Sequence, residues 1–444
     1  MVGLRPYHRS PPDLKTGSLT SKSRRASAAP EETVERKPRI LIIVQNLPVP
    51  FDRRVWLECQ ALTAAGYSVS VICPKGPEDP SEAVIDGVTL YKYRPYAPGT
   101  SKATFVGEYL YSFAATAWLT AKAWRRGRFD VLQACNPPDI FWPIGIALRL
   151  LGVRFVFDHH DLCPELYESR FDRRSWTLHR ALLALEWCTH RSAHHVIVTN
   201  ESYRQIALTR GGKQDRDVTV VRTGPDLDRL RPGPVDPQLR RGRQHLVTYL
   251  GVMGPQDGVD LAVRAAGHIV HELRRRDISF TLIGSGDSFT QLVALRDELD
   301  LEDHVEFTGR VSDETVARIL STTDVGLCPD PKNPLNDLST MNKTMEYMAF
   351  AVPIVAFDLR ETRVSAGDAA VYALPNEVAD LAQMVVELID DEPRRRSMGA
   401  LGRTRVVDKL AWTHQRGHYV GVYDELTHRV PTVSVSGAPP AQGG

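Results

Sequence analysis

The sequence predicts an α/β protein of two doubly wound, Rossmann-like domains facing across a cleft. Three observations carry this. Short β-branched runs alternate with amphipathic helical stretches along nearly the whole chain. The alternation halts once, in a Pro- and Arg-rich stretch from Gly224 to Arg243, and then restarts. At 444 residues the chain exceeds what one typical core organises.

The elements follow in order. Arg39–Val44 reads as a buried strand, and Arg54–Gly66 as an amphipathic helix closed by Gly. Ser68–Cys73 and Val88–Tyr93 are strands. Thr104–Arg125 is a long helix, followed by a strand at Asp130–Ala134. Asp139–Leu151 is helical, Arg154–Phe157 a strand, Trp176–Arg191 a helix and His195–Val198 a strand. The second half opens with the strand His245–Leu250 and the helix Val259–Arg275. Ser279–Ile283, Val305–Phe307, Val325–Leu327 and Ile354–Phe357 are further strands. Helices at Thr290–Leu299 and Glu314–Ser321 separate them. Alternation of this kind implies parallel sheets covered on both faces, with ligands beyond the carboxyl ends of the strands. The first domain is expected over 38–224, a linker over 225–244 and the second domain over 245–411. Residues 1–37 and 431–444 have too few large apolar groups to offset ordering entropy, and are expected to be disordered.

Composition narrows the function. Basic and acidic residues balance, 55 against 54, so no field for nucleic acid is implied and anion recognition must be local. Six cysteines show no C-x-x-C spacing and read as reduced thiols of a cytosolic protein. No apolar run reaches transmembrane length, and the N-terminus has no apolar signal core.

One window combines anion and diol chemistry. From Ser339 to Pro353 the chain reads STMNKTMEYMAFAVP. A polar loop opening a helix presents free N–H groups suited to an anion. Lys343 adds a cation, and Glu346 lies a turn further on the same face. A carboxylate there accepts hydrogen bonds from two vicinal hydroxyls, as on a ribose. Phosphate donors beside a diol acceptor describe a nucleotide site; the plain alternative is a solvated Lys–Glu pair. Gly284-Ser-Gly286-Asp and Gly251-Val-Met-Gly254 each follow a strand, where glycine lets backbone approach a ligand or simply makes a tight turn. His159 and His160, in Asp158-His-His-Asp161, also follow a strand and could donate to a phosphate or a sugar hydroxyl. No third metal ligand stands at suitable spacing, so no metal site is expected. His190, His194 and His195 read as structural. Asp52 can cap the helix after it, while Arg53 and Arg54 can face the cleft and hold an anionic acceptor. The Thr104–Arg125 helix carries Trp118 and Trp124 and leads into Arg126 and Arg128. It suits either an anionic membrane surface or a core position with cations at its C-terminus.

Taken together, these stretches resemble the family 4 glycosyltransferases of GT-B fold over roughly Arg39 to Leu426. The resemblance rests on NLPVPFDRRVWLECQALTAAGYSVSVIC, NPPD at 136–139 and DHHDLCPE at 158–165 in the first half. TYLGVMGPQDGVD, TLIGSGD, FTGRVSDE and NKTMEYMAFAVPIVAFDLRET carry it in the second. It implies that a C-terminal helix, 412–427, crosses back to the first domain. It implies that Glu346 is the second glutamate of a Glu–seven residues–Glu pattern and grips a ribose. The first glutamate falls on Leu338 and is absent, with Asn336, Asp337 or Ser339 as stand-ins. The lysine usual near the first donor-domain turn is replaced within Gln256-Asp257-Gly258. Lys343, Arg222 and Lys332 are the candidates to supply that cation. His160 matches the family's active-site histidine, with His159 as competitor, and Glu361 a helix-start carboxylate near the donor.

The expected function is sugar transfer from a nucleotide sugar to a hydroxyl acceptor with retention, in cell-surface polysaccharide or glycolipid assembly. The expected catalytic residues are His160, Lys343 and Glu346. Donor contacts are expected from Gly251, Gly254, Gly284, Gly286, Asn342, Lys343, Glu346 and Glu361. Acceptor contacts are expected from Arg53, Arg54 and His159. N–H groups of the Gly251–Gly254 and Leu338–Asn342 turns would stabilise the leaving diphosphate. No cofactor or essential metal is expected. The expected partners are a nucleotide-sugar donor, a saccharide or lipid-linked acceptor and an anionic membrane surface, with no nucleic acid. The protein would be cytoplasmic and peripheral at the membrane. An epimerase of the same fold, needing no acceptor, and a non-catalytic nucleotide- or carbohydrate-binding protein are the alternatives.

Overall fold

The structure, a computed structural model, describes residues 36–96, 102–170 and 175–428, with the side chains of 102–106 outside it. The terminal segments expected to be disordered lie outside the described residues, apart from Arg36 and Lys37. The described residues from Lys37 to His428 form one compact unit with two sheets.

The first sheet contains β1 (Arg39–Ile43), β2 (Ser68–Pro74), β3 (Glu82–Ile85), β4 (Val88–Tyr93), β5 (Val131–Cys135), β6 (Arg154–His159), β7 (His195–Val198) and β8 (Val218–Val220). Their order across the sheet is β3-β4-β2-β1-β5-β6-β7-β8. Every pairing is parallel except β3 with β4, which form an edge hairpin over the Asp86–Gly87 turn. The second sheet contains β9 (His245–Leu250), β10 (Ile278–Ile283), β11 (Val305–Gly309), β12 (Val325–Cys328), β13 (Ile354–Phe357) and β14 (Ala370–Ala373). Its order is β11-β10-β9-β12-β13-β14, all parallel. Both sheets reverse direction of winding beside their first strand, which is where a ligand crevice opens.

Central strands are buried on both faces. Ile40, Leu41, Ile42 and Ile43 of β1 are fully buried, as is the run Val196-Ile197-Val198 of β7. Helices therefore cover each sheet on two sides, giving, among the described residues, four apolar clusters, two per sheet. The segment expected to be a linker is held against the second sheet. Leu230 is 1% exposed in a cluster with Leu246 and Ile354, and Leu227 and Leu239 pack against it. The final helix, Trp412–Thr427, belongs to the other lobe: Trp412, Tyr419, Val422 and Tyr423 pack with Ile40, Val55 and Leu62. At that crossing the Trp412 N–H donates to Pro225 O at 3.1 Å.

The helix expected over Val259–Arg275 runs Val259–Gly267 and widens into a looser turn, His268–Glu272. The helix Lys102–Arg126 buries Leu119 and Ala123 while Leu110 and Trp118 stay exposed. Among the described residues, no helix is long and apolar enough to cross a membrane.

Candidate active site

The helix Asn342–Ala349 stands at the carboxyl edge of the second sheet, between β12 and β13. Met341 precedes it without any side-chain cap. Asn342 and Glu346 line an interlobe cleft of ≈ 1110 Å³. Phe51, Arg53 and Trp56 face it from the first lobe, Arg229 from the crossing segment, and Arg310 and Asp313 from the second lobe.

Glu346 is 17% exposed and lies 3.4 Å from Arg53 Nη1 and 4.0 Å from Arg229 Nη2. The same two arginines hold Asp313 at 2.7 and 2.8 Å. Burial raises the Glu346 carboxyl above its usual range, and Arg53 and Arg229 pull it back. Its oxygens thus have charged neighbours at loose distances and face a cavity.

Lys343 departs from expectation. Its ammonium donates to Asp330 Oδ1 at 2.6 Å, lies 5.0 Å from the Tyr249 ring centre, and is 8% exposed. Burial opposes its charge most, but Asp330, Tyr249 and Asp257 together outweigh that and raise its pKa well above the usual value. One helical turn separates Lys343 from Glu346, yet Lys343 faces the lobe interior behind Gly251, and only Glu346 lines the cleft.

The glycine turns also differ from expectation. Gly251 N–H donates to Ile283 O at 3.0 Å, Met253 N–H to Ser285 O at 3.2 Å, and Gly254 N–H to Asp257 Oδ2 at 2.9 Å. Those donors are occupied within the lobe. A Cβ on Gly284, where φ is +134°, would fall 1.8 Å from Gly251 O, and one on Gly286 2.5 Å from Met253 O. Glycine is required there because the two turns stack on each other. Asp257, where the resemblance expects a lysine, is pushed up to about 6 by burial.

The stand-ins for the first glutamate have other partners. Asn336 Nδ2 donates to Gln256 O and Pro331 O, each at 2.9 Å. Asp337 accepts from Arg360 N–H, and Ser339 Oγ meets Tyr203 Oη at 2.9 Å. Leu338 packs against the first lobe's core, and Asn200 Nδ2 donates to its carbonyl at 2.9 Å. Glu361 is 2% exposed, accepts from Ser202 Oγ at 2.6 Å, and sits 3.7 Å from Arg222. It bridges the lobes. Lys332 is exposed and donates to Asp358 O at 3.0 Å.

On the first lobe, Asp52 caps its helix through Val55 N–H at 3.1 Å. Arg53 lines the cleft, while Arg54 is buried. The Arg54 guanidinium reaches Asp158 Oδ1 at 2.9 Å, Val221 O at 3.0 Å and Thr223 Oγ1 at 2.9 Å. An acceptor contact from Arg54 is therefore corrected to an internal one. His159 is corrected too: it is fully buried, with ring centres 5.0 Å from Phe157, 4.9 Å from His190 and 5.4 Å from Tyr203. Burial lowers its pKa well below the usual value. The turn after β6 sends His160 the other way, 15% exposed, with Nε2 2.6 Å from Asp158 Oδ2. Donor atoms of Glu58, Cys135, Asp158 and His160 all lie within 4.8 Å of one another, and Arg54 places its positive charge among them.

Sequence reasoning missed Arg229, Asp313 and Asp330. Arg229 sits in a stretch read as spacer, and Asp313 resembles an ordinary helix-start acid. Asp330, in CPDPK just past β12, had a signal: a carboxylate at a strand's carboxyl end.

Two Rossmann-like lobes with a carboxylate-bearing cleft between their carboxyl edges are the arrangement of the GT-B fold. Two family models match the chain: Glycosyltransferase Family 4 over residues 52–229 and Glycosyl transferases group 1 over 244–391. The chain belongs to the family 4 glycosyltransferases. It is 24% identical over 330 residues to 2-deoxystreptamine glucosyltransferase of Streptomyces kanamyceticus, covering 70% of this chain and 82% of that one. Sucrose-phosphate synthase of Thermosynechococcus elongatus superposes with a TM-score of 0.73 at 18% identity, covering 89% of this chain and 100% of that one. Anabaena HepE, solved in complex with UDP-glucose, gives 0.65 at 15% identity, covering 87% and 99%.

Proposed function

We propose that this glycosyltransferase uses a nucleoside-diphosphate sugar and transfers its glycosyl group, with retention, to a hydroxyl of a saccharide or lipid-linked acceptor. The carrying observation is Glu346, a carboxylate lining the interlobe cleft, one turn into a helix whose start has no side-chain cap. A ribose diol replaces the loose arginine contacts of Glu346 with two hydrogen bonds. Phosphate oxygens then meet the open N–H groups around Asn342 and the cations of Arg53 and Arg229. Preorganised donors of this kind stabilise charge on a departing diphosphate. The leaving diphosphate takes the acceptor's proton, so no strong base is needed on the far face. The HepE complex with UDP-glucose supports the choice of donor class. The exposed Leu110–Trp118 face, with Lys122 5.3 Å from the Trp118 ring, fits an anionic membrane surface near a lipid-linked acceptor.

The test is a panel of UDP- and GDP-sugars, read first by thermal shift and then by nucleoside diphosphate released with added glycan acceptors. Proton NMR of the product gives the anomeric configuration. Inverted product would overturn retention. Conversion of the donor without acceptor would replace transfer by epimerisation.

A further inference from the structure

Beneath His160 runs a continuous buried chain of polar groups that ends on the last helix. Gln133 on β5 is its centre and is fully buried. Its carbonyl accepts from Tyr419 Oη at 2.6 Å and from Tyr423 Oη. Its amide nitrogen donates to Glu58 Oε2 at 2.8 Å and to Asp158 Oδ2 at 3.1 Å. Flipping the amide would turn its carbonyl toward the Asp158 carboxylate. The two tyrosine hydroxyls therefore fix which way Gln133 faces.

Asp158 is fixed in turn. Burial opposes its charge, but Arg54 at 2.9 Å and His160 outweigh it and hold the carboxyl well below the usual range. An ionised carboxylate 2.6 Å from Nε2 requires a proton on that nitrogen. Arg54 Nε–H is directed at the same nitrogen at 3.0 Å and competes for it, but the shorter contact to an ionised carboxylate decides where the proton sits. The ring's lone pair is left on Nδ1.

We propose that Asp158 and Gln133 are positioning residues that fix His160 as its Nε2–H tautomer with Nδ1 as acceptor. Tyr419 and Tyr423 make that state depend on the docked C-terminal helix. An Nδ1 acceptor receives a hydrogen bond from a sugar hydroxyl and cannot donate one to phosphate. This catalytic consequence rests on the transferase reading of the cleft; the tautomer itself does not.

The test uses the full chain labelled with 15N-histidine. Long-range proton–nitrogen correlation spectra distinguish the tautomers, and loss of one set in His160→Gln assigns the signals. The expected wild-type state is Nε2–H. In Asp158→Asn, and in the double variant Tyr419→Phe/Tyr423→Phe, the nitrogen shifts should move toward a tautomer mixture. A wild-type Nδ1–H ring, or an unmoved ring in both variants, overturns the proposal. Should Asp158→Asn fail to fold, the wild-type spectrum and the tyrosine variant still decide it. In turnover assays the tyrosine variant should lose kcat by on the order of tenfold to a hundredfold with donor KM unchanged. Normal kcat with a shifted tautomer would overturn the catalytic consequence alone.

Discussion

Replacing Lys343 by Met takes the cation from a buried pair and leaves the Asp330 carboxylate, 1% exposed, without it. Met keeps most of the stem's packing against Tyr249, so the loss is chiefly electrostatic. Breaking a buried pair from one side costs about 3–5 kcal/mol. Unfolding entropy of about 2 cal/mol/K per residue, over roughly 400 cooperative residues, makes that a fall of about 4–6 °C in Tm. Replacing both partners, Lys343→Met with Asp330→Leu, should recover most of the loss, because no unpaired charge remains. Calorimetric melts at neutral pH measure both. A single variant within about 0.5 kcal/mol of wild type, or a double variant no better than the single, refutes the pairing. A Lys343→Met protein that melts normally but no longer binds nucleotide would return Lys343 to the cleft.

Two further predictions concern carboxyls. Burial, and then Glu186, pushes the Asp139 carboxyl up to about 7. A carboxyl raised in the folded state supports stability below its unfolded pKa of about 4, and that support is lost as pH rises through the folded value. Asp139→Asn should therefore gain on the order of 2–4 kcal/mol over wild type at pH 8 and little at pH 4, read from urea midpoints; equal differences at both pH values refute it. Leu338→Glu restores the residue type that the family pattern expects, but sets it against the first lobe's apolar core. It should lower stability by about 1–3 kcal/mol and leave nucleotide affinity unimproved by titration calorimetry. A tenfold tighter complex would show that position 338 can reach the donor.

Much of the fold was legible because parallel strands buried on both faces leave unbroken apolar runs, as in Ile40–Ile43 and Val196–Val198. Missed elements had weaker patterns. β3 is a short edge strand with Val84 exposed, and β8 is three residues long beside a charged turn. The Pro-rich crossing read as free chain because Leu227, Leu230 and Leu239 are too widely spaced to show a period. Within the site, the position of Glu346 was legible from its helix and strand context. The direction of Lys343 was not, since its partner Asp330 is thirteen residues away across a loop. The same limit separated His159 from His160: neighbours at a strand end point to opposite sides, and the sequence does not say which faces the core. The glycines were correctly placed at strand ends, but their reason is turn stacking, a contact between β9 and β10 loops over thirty residues apart.

Calorimetric titration of UDP and GDP into wild type and Glu346→Gln tests the central claim most directly. Each hydrogen bond from a hydroxyl to the carboxylate contributes about 1.5–3 kcal/mol, so the variant should bind the preferred nucleotide roughly 10- to 100-fold more weakly with an unchanged circular dichroism spectrum. Equal affinity in a folded variant would contradict the assignment of the cleft carboxylate to the ribose.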